Sequence, residues 1–192
     1  AELLGSEGNI VALLGPAGAS WSNTRTEGFK TRLAEKYPGI NILAEQHTDV
    51  DRMRAQQVME DWLQRFGDEI DGVYTALNLL AEGAAVAAEG HQLAGKIKIV
   101  TSASSPETLE MLKENKIHWV MSELGAVTGR WAVQYAFKVL NGEALSLEPA
   151  PETLPTPPSN IAVLPHVFYE PDTDLSVPYS IDWAPEGWTI PK

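Results

Sequence analysis

The chain has 192 residues, and its 14 basic and 26 acidic side chains give a net charge of −12. This acidic balance argues against nucleic acid and anionic membranes as partners, because both are bound through basic surfaces. Cysteine is absent, which excludes disulfides and thiolate chemistry, while an apolar content of 44% is typical of a globular chain with a full core.

Short apolar runs alternate with helical patterns through most of the chain. The predicted strands cover residues 9–14, 40–44, 71–75, 96–100 and 119–121. The predicted helices cover residues 22–37, 49–66, 79–90, 106–115 and 126–140. This alternation predicts right-handed crossovers and a parallel sheet with helices on both faces, so the fold class is α/β.

The second predicted helix has the clearest local signals. Its apolar side chains recur at intervals of three and four residues, which places them on one face. Thr48 and Asp51 have the spacing of a capping box, so we expect the helix to start at Asp49.

The composition changes at Pro149, since ten of the 13 prolines lie between that residue and the end. Proline fixes φ and removes a backbone donor, so residues 149–160 are predicted to be extended. Residues 161–164 favour one more strand, and the aromatic remainder is predicted to form a proline-rich C-terminal strap on a folded surface.

Ligands of parallel sheets bind beyond the carboxyl ends of the strands, so the residues that follow each strand are candidates for a site. The small residues at 15–20 predict a strand-to-helix turn, and they lack the Gly-Lys pair of a nucleotide-binding loop. Trp21 and Arg25 lie four residues apart on one helix face. Such a pair can stack on a sugar ring and hold hydroxyls, although the spacing alone favours a surface role for Arg25 and a packing role for Trp21.

The sequence contains no recognisable catalytic or metal-binding pattern. None of the four histidines has a partner at i+4, and no Gly-x-Ser-x-Gly elbow supports a triad. The carboxylates of the second helix are spread around it, as on a solvated face. We therefore expect no enzyme activity, no metal and no cofactor.

Several segments, in the same order along the chain, resemble type I periplasmic solute-binding proteins of the ribose-binding group. The first is a Gly-x-x-Gly turn followed by Arg-x-x-Gly-Phe, at residues 15–29. The others are Asp51–Ala55, Ile70–Val73, Ala81–Ala84, Pro106–Leu109 and Gly129–Val133. The resemblance implies two lobes that close on a small solute about a hinge.

The resemblance also implies which positions contact the solute. Arg25 keeps the family's residue, whereas Leu77 and Asn78 replace an Asn-Asp pair, Ala103 replaces an Asp and Glu123 replaces the hinge Gln. With Trp21 added, the expected ligand-binding residues are Trp21, Arg25, Leu77, Asn78, Ala103 and Glu123. This pocket is more apolar than a sugar site and carries an anion, which suits a solute with a positive or dipolar part. The departures are similar to those of the trimethylamine-N-oxide-sensing (TorT-like) branch, while Arg25 is ribose-like.

The family's architecture implies the domain boundaries. Residues 1–124 would form the C-terminal ligand-binding lobe, residues 125–164 the hinge return with a helix and strand of the first lobe, and residues 165–192 an aromatic tail. The rest of the first lobe is absent, and Ala1–Leu4 resemble the last turn of a helix. We therefore expect a longer natural protein, or a second chain that packs on Ala126–Leu140.

The expected function is recognition of a sugar-like molecule, small amine or amine oxide in the periplasm. Closure near Leu124–Gly125 would then be sensed by an ABC-transporter permease or a sensor kinase. The alternative is the effector-binding domain of a lactose-repressor-type regulator, which shares the fold. An upstream signal peptide would support the first reading, and an upstream helix-turn-helix the second. An enzyme on a doubly wound sheet is a third reading, without a visible nucleophile.

Overall fold

The computed structural model describes residues 1–122, 125–143 and 167–172. The strands are β1 (Glu7–Leu14), β2 (Gly39–His47), β3 (Gly72–Thr75), β4 (Lys98–Ser102), β5 (Trp119–Ser122) and β6 (Val167–Tyr169). The helices are α1 (Ser20–Lys36), α2 (Arg52–Phe66), α3 (Asn78–Gly90), α4 (Pro106–Lys113) and α5 (Gly125–Leu140). Short 3-10 turns lie at Glu2–Leu4 and Gly67–Glu69.

The strands form one sheet in the order β2-β1-β3-β4-β5-β6, and the pairs from β2 to β5 are parallel. From β1 the chain passes to β2, its neighbour on one side in the sheet. It then continues to β3, β4 and β5, which lie on the other side of β1. Because right-handed crossovers of opposite direction lie on opposite faces, α1 covers one face and α2, α3 and α4 the other. The α/β prediction, with helices on both faces, is therefore confirmed.

Packing on the two faces agrees with this arrangement. On the α1 face, the rings of Phe29 and Tyr74 stack at 3.8 Å between centroids. On the other face α2 packs on α3, and α3 on α4. The neighbours of Tyr74 in β3, Val73 and Thr75, point away from α1 and are fully buried.

The start of α2 differs from the sequence prediction. Asp51 is itself the N-cap, and its carboxylate accepts from the backbone N–H of Arg54 at 2.7 Å. Thr48 is buried instead, and its N–H donates to the carbonyl oxygen of Leu14 at the end of β1. A tertiary partner therefore replaces the expected local cap, and the helix begins at Arg52 instead of Asp49.

Beyond residue 143, the structure describes only residues 167–172. The predicted strand at 161–164 and the rest of the proline-rich strap lie outside the described residues. Strand β6 falls within the predicted tail, where the sequence pattern did not indicate a strand.

The chain divides into two compact units, with residues 1–122 in the first and α5 in the second. Helix α5 is the helix predicted at residues 126–140. Several of its apolar side chains are strongly exposed: Val133 at 67%, Phe137 at 63% and Leu140 at 84%.

Gly83 allows α2 and α3 to pack backbone to backbone. A Cβ at this position would collide with the carbonyl oxygen of Arg52 and approach the Cβ of Ala55 to 2.9 Å. The Ala-rich sequence of α3 serves the same close contact, since most of its residues are buried.

We predict that Gly83→Ala lowers the free energy of unfolding by about 1–3 kcal/mol, because the added methyl forces two helices apart. Gly28→Ala in α1 is the matched control, since no heavy atom lies within 4 Å of the added Cβ. That control should raise the free energy of unfolding by about 0.5–1 kcal/mol. Urea unfolding of both variants measures the difference, and equal effects would contradict the proposed contact.

His118 extends the pairing between β4 and β5. The backbone N–H of His118 donates to the carbonyl oxygen of Ile99 at 2.9 Å, and the ring Nδ1 of His118 accepts from the backbone N–H of Ile99 at 3.2 Å. The side chain is buried, and its Nε2 has no hydrogen-bond partner among the described residues. Burial, with a smaller contribution from the charge of Lys98, lowers the pKa of His118 from 6.5 to about 4. The imidazole is therefore neutral, as an acceptor at Nδ1 requires.

We predict that stability falls as the pH is lowered from 6.5 to about 4. In this range the unfolded chain binds a proton at His118 that the folded chain resists, which costs up to about 3 kcal/mol. His118→Asn keeps an acceptor for Ile99 and does not titrate, so its stability should depend less on pH. Thermal unfolding of both proteins at pH 7 and pH 4 tests this, and parallel pH profiles would refute it.

Candidate functional site

The carboxyl edge of the sheet brings together most of the residues predicted from the sequence. Trp21 and Arg25 lie in the first two turns of α1, after β1. Leu77 is the N-cap of α3 and Asn78 its first residue, both after β3. Ala103 follows β4 directly. Glu123, the remaining predicted residue, lies outside the described residues.

Arg25 joins α1 to the ends of two strands. One guanidinium nitrogen donates to the carbonyl oxygen of Ala76 at 2.8 Å and to the hydroxyl of Ser102 at 3.1 Å. The hydroxyl of Ser102 donates in turn to the same carbonyl at 2.6 Å. Burial lowers the pKa of Arg25 below its ordinary value, and the charge of Tyr74 opposes this, but a guanidinium stays charged at neutral pH. The edge therefore carries a fixed positive charge.

Trp21 is held in place by its two neighbours. The Cζ of Arg25 lies 5.2 Å from the centroid of the indole ring, within the range of a cation–π contact. A Cβ at Gly15 would collide with the ring, so glycine is required where the indole crosses the turn. Nδ1 of His47 donates to the carbonyl oxygen of Gly15 at 2.8 Å and fixes that turn. Trp21 as a whole remains 37% exposed, which leaves surface for a ligand.

The loop between β4 and α4 consists of Ala103, Ser104 and Ser105, and it follows Ser102 at the end of β4. Ala103 has φ of 64°, in the left-handed region that is costly for residues other than glycine. Ser104 shares a hydrogen bond with Ser122 of β5 at 3.0 Å, and Ser105 donates to Glu82 of α3 at 2.9 Å. Hydroxyl bonds to neighbouring elements therefore hold the strained residue in position.

Leu77 and Asn78 differ in what they present. Leu77 is half-buried, and its carbonyl oxygen accepts from the hydroxyl of Thr75 at 3.3 Å. The amide nitrogen of Asn78 donates to the buried carboxylate of Glu82 at 3.3 Å. Asn78, like Arg25, thus has a hydrogen-bond partner within the protein.

The same edge carries exposed apolar residues that the sequence patterns did not indicate. Val50, in the loop that follows β2, is 37% exposed, and Met53, just after that loop, is 70% exposed. Leu79, at the start of α3, is 37% exposed. The sequence signal that could have indicated them is an apolar residue in a loop that follows a strand. With Trp21 they give the carboxyl edge an apolar rim.

The opposite edge of the sheet carries an open depression of about 610 Å³. Two of its four charged lining residues have structural partners: Asp71 accepts from the N–H of Asn9, and Lys98 donates to the carbonyl oxygen of Gly95. We therefore place the candidate site at the carboxyl edge, where strand ends and strained backbone coincide.

Two further findings concern the described residues alone. They include no group of three or more histidine or acidic side chains that could hold a metal ion. In the same part of the chain, none of the helices has the length and hydropathy to span a bilayer.

We predict that Ala103→Gly is not destabilising, although it removes a side chain. Glycine relieves about 1 kcal/mol of left-handed strain, which offsets the similar entropy that it adds to the unfolded chain. Ala103→Val should instead lower the free energy of unfolding by more than about 1 kcal/mol, since β-branched residues fit this region worst. Thermal unfolding of both variants tests this prediction. A glycine variant as unstable as the valine variant would contradict the backbone strain at Ala103.

A family model described as "Periplasmic binding protein domain" matches residues 1–144. The chain is 31% identical to the ribose import binding protein RbsB of Salmonella typhimurium, over 74% of this chain and 47% of that protein. It is 27% identical to the periplasmic protein TorT of Escherichia coli, over 79% of this chain and 43% of that protein. The chain thus spans about half the length of the curated relatives it matches.

A solved structure supports the same relationship. The periplasmic solute-binding protein of an ABC transporter from Actinobacillus succinogenes, with bound D-allose, superposes with a TM-score of 0.75 and 25% identity. The match covers 88% of this chain and 55% of that one. The predicted resemblance to the ribose-binding group is confirmed, and the similarity extends to TorT.

Proposed function

The chain belongs to the periplasmic binding protein domain family, and we propose that it is a solute-binding lobe which holds a small polar molecule at the carboxyl edge of its sheet. The pairing of Trp21 and Arg25 carries this proposal, because it sets an exposed indole beside a fixed cation. The role is recognition without catalysis.

The character of the edge supports a solute with one polar and one less polar face. Trp21 offers an aromatic surface, and the guanidinium of Arg25 offers directed donors for hydroxyls or an oxide. Leu77 and Ala103 add apolar surface on the neighbouring loops. A sugar-like molecule or a small amine or amine oxide fits this combination, with Glu123 proposed as the anionic group.

We propose that residues 1–124 are the ligand-binding lobe and that residues 125–164 return through a hinge to an opposing lobe, with 165–192 as a tail. The exposed apolar side chains of α5 support this division, because a stripe such as Val133, Phe137 and Leu140 is stabilised by burial against a partner. We propose that the opposing lobe, in the same chain or a second one, covers α5 and closes on the solute.

The proposed location is the periplasm, and the proposed partner is a transport permease or a sensor kinase. Both relatives described above carry names that support this setting, one as an import binding protein and the other as a periplasmic protein. These matches favour solute binding over the regulatory alternative that shares the fold.

The proposal is tested by titrating the chain with D-ribose, D-allose, xylitol and trimethylamine N-oxide, followed by NMR. At least one of these should shift the resonances of Trp21 and Arg25. Binding should be weak, with a dissociation constant on the order of 1 mM, because a single lobe contacts only one side of the solute.

Arg25→Ala and Trp21→Leu should each weaken that binding by about tenfold, which corresponds to about 1.4 kcal/mol. Arg32→Ala is the matched control, because it removes an exposed arginine from the same helix. The proposal fails if no solute binds, or if Arg25→Ala and Arg32→Ala bind equally well.

A further inference from the structure

Glu82 is a buried carboxylate in a helix that is otherwise Ala-rich. Its side chain is 3% exposed. One of its oxygens, Oε1, accepts from the hydroxyl of Thr108 at 2.6 Å, the hydroxyl of Ser105 at 2.9 Å and the amide of Asn78 at 3.3 Å. The other oxygen lies 4.0 Å from a guanidinium nitrogen of Arg52.

These partners come from the starts of three helices. Asn78 is the first residue of α3, Arg52 the first of α2, and Ser105 the N-cap of α4. Ser105 also accepts from the N–H of Thr108 at 3.1 Å, so the cap of α4 and the bond to Glu82 use the same hydroxyl. One carboxylate therefore connects the helix starts that follow β2, β3 and β4.

Through these bonds Glu82 is linked to the β3–α3 loop and the β4–α4 loop, which both belong to the proposed site. Leu77 precedes Asn78 directly, and Ala103 lies two residues before Ser105. The left-handed backbone of Ala103 needs support from outside its own loop, because it is intrinsically unfavourable. Glu82 supplies that support from α3.

Packing alone does not explain a carboxylate at this position. Burying a charge costs several kcal/mol unless hydrogen bonds compensate, and an apolar residue of similar volume is often as stable or more so. A leucine would continue the apolar character of α3 without this cost. What leucine cannot do is accept hydrogen bonds from Asn78 at the start of α3 and from Ser105 and Thr108 at the start of α4.

We propose that Glu82 is a positioning residue that fixes the spacing between the β3–α3 and β4–α4 loops and, through that spacing, the affinity for the solute. The second part of this inference rests on the proposed function. The carboxylate acts through Ser105 and Asn78 and does not itself touch the solute.

The test compares Glu82→Leu with Glu82→Gln in the full chain. Leucine removes all three bonds, whereas glutamine keeps a side-chain carbonyl oxygen where Oε1 accepts them. Leu109→Ala is the control, because it removes a buried side chain from α4 without removing a bond to Glu82. Amide hydrogen exchange and NMR titration with the four solutes named above are the readouts.

We expect Glu82→Leu to speed exchange in the β3–α3 and β4–α4 loops together by about tenfold, since local opening is limited by these bonds. Its solute affinity should fall about five- to tenfold, while Glu82→Gln stays within about twofold of the parent, because loop sites depend on such supporting bonds. Leu109→Ala should lower the melting temperature and leave the affinity of the folded chain unchanged.

The inference is overturned if Glu82→Leu leaves exchange in the β4–α4 loop unchanged, or if it weakens binding no more than Leu109→Ala does. A lack of rescue by Glu82→Gln also refutes it, because charge or packing would then be the cause. If the parent chain binds none of the solutes, the proposed function fails, whereas the exchange data still decide whether Glu82 sets the loop spacing.

Discussion

The parallel part of the sheet imposes one constraint on the rest of the molecule: strands β1 to β5 all end at the same edge. The last carbonyl groups of β1 and β3 have no continuing ladder there, and each requires a donor from elsewhere. Thr48 and Ala76 donate to the ends of β1, while Arg25 and Ser102 donate to Ala76 at the end of β3. One of these donors, Arg25, is also a residue of the proposed binding site.

Small residues determine how closely the other parts approach this edge. Gly15 gives the indole of Trp21 room over the first turn, and Gly83 lets α3 lie against the first turn of α2. The second contact places Glu82 beside the starts of α2 and α4, where its carboxylate meets hydroxyl and amide donors. The backbone of one helix pair thus determines which polar groups meet behind the proposed site.

The order of elements could be predicted from the sequence, because apolar runs and helical stripes report burial locally. The pairing of Trp21 with Arg25 was also accessible, since residues four apart in a helix share a face. Other features depend on contacts between distant segments, which no local pattern encodes. Thr48 bonds to Leu14 instead of capping α2, and Ser105 meets Glu82 only because α3 and α4 are neighbours. The left-handed backbone of Ala103 was equally hidden, because alanine carries no signal for that conformation.

The serine-rich loop after β4 has a consequence for how such a lobe can change during evolution. Ser102, Ser104 and Ser105 are each bonded to a different neighbour, whereas Ala103 between them has a side chain of a single methyl group. The residues that anchor the loop are thus distinct from the residue that we propose faces the solute. A substitution at position 103 leaves the three hydroxyl anchors in place, but the left-handed backbone restricts the change to residues that tolerate this conformation.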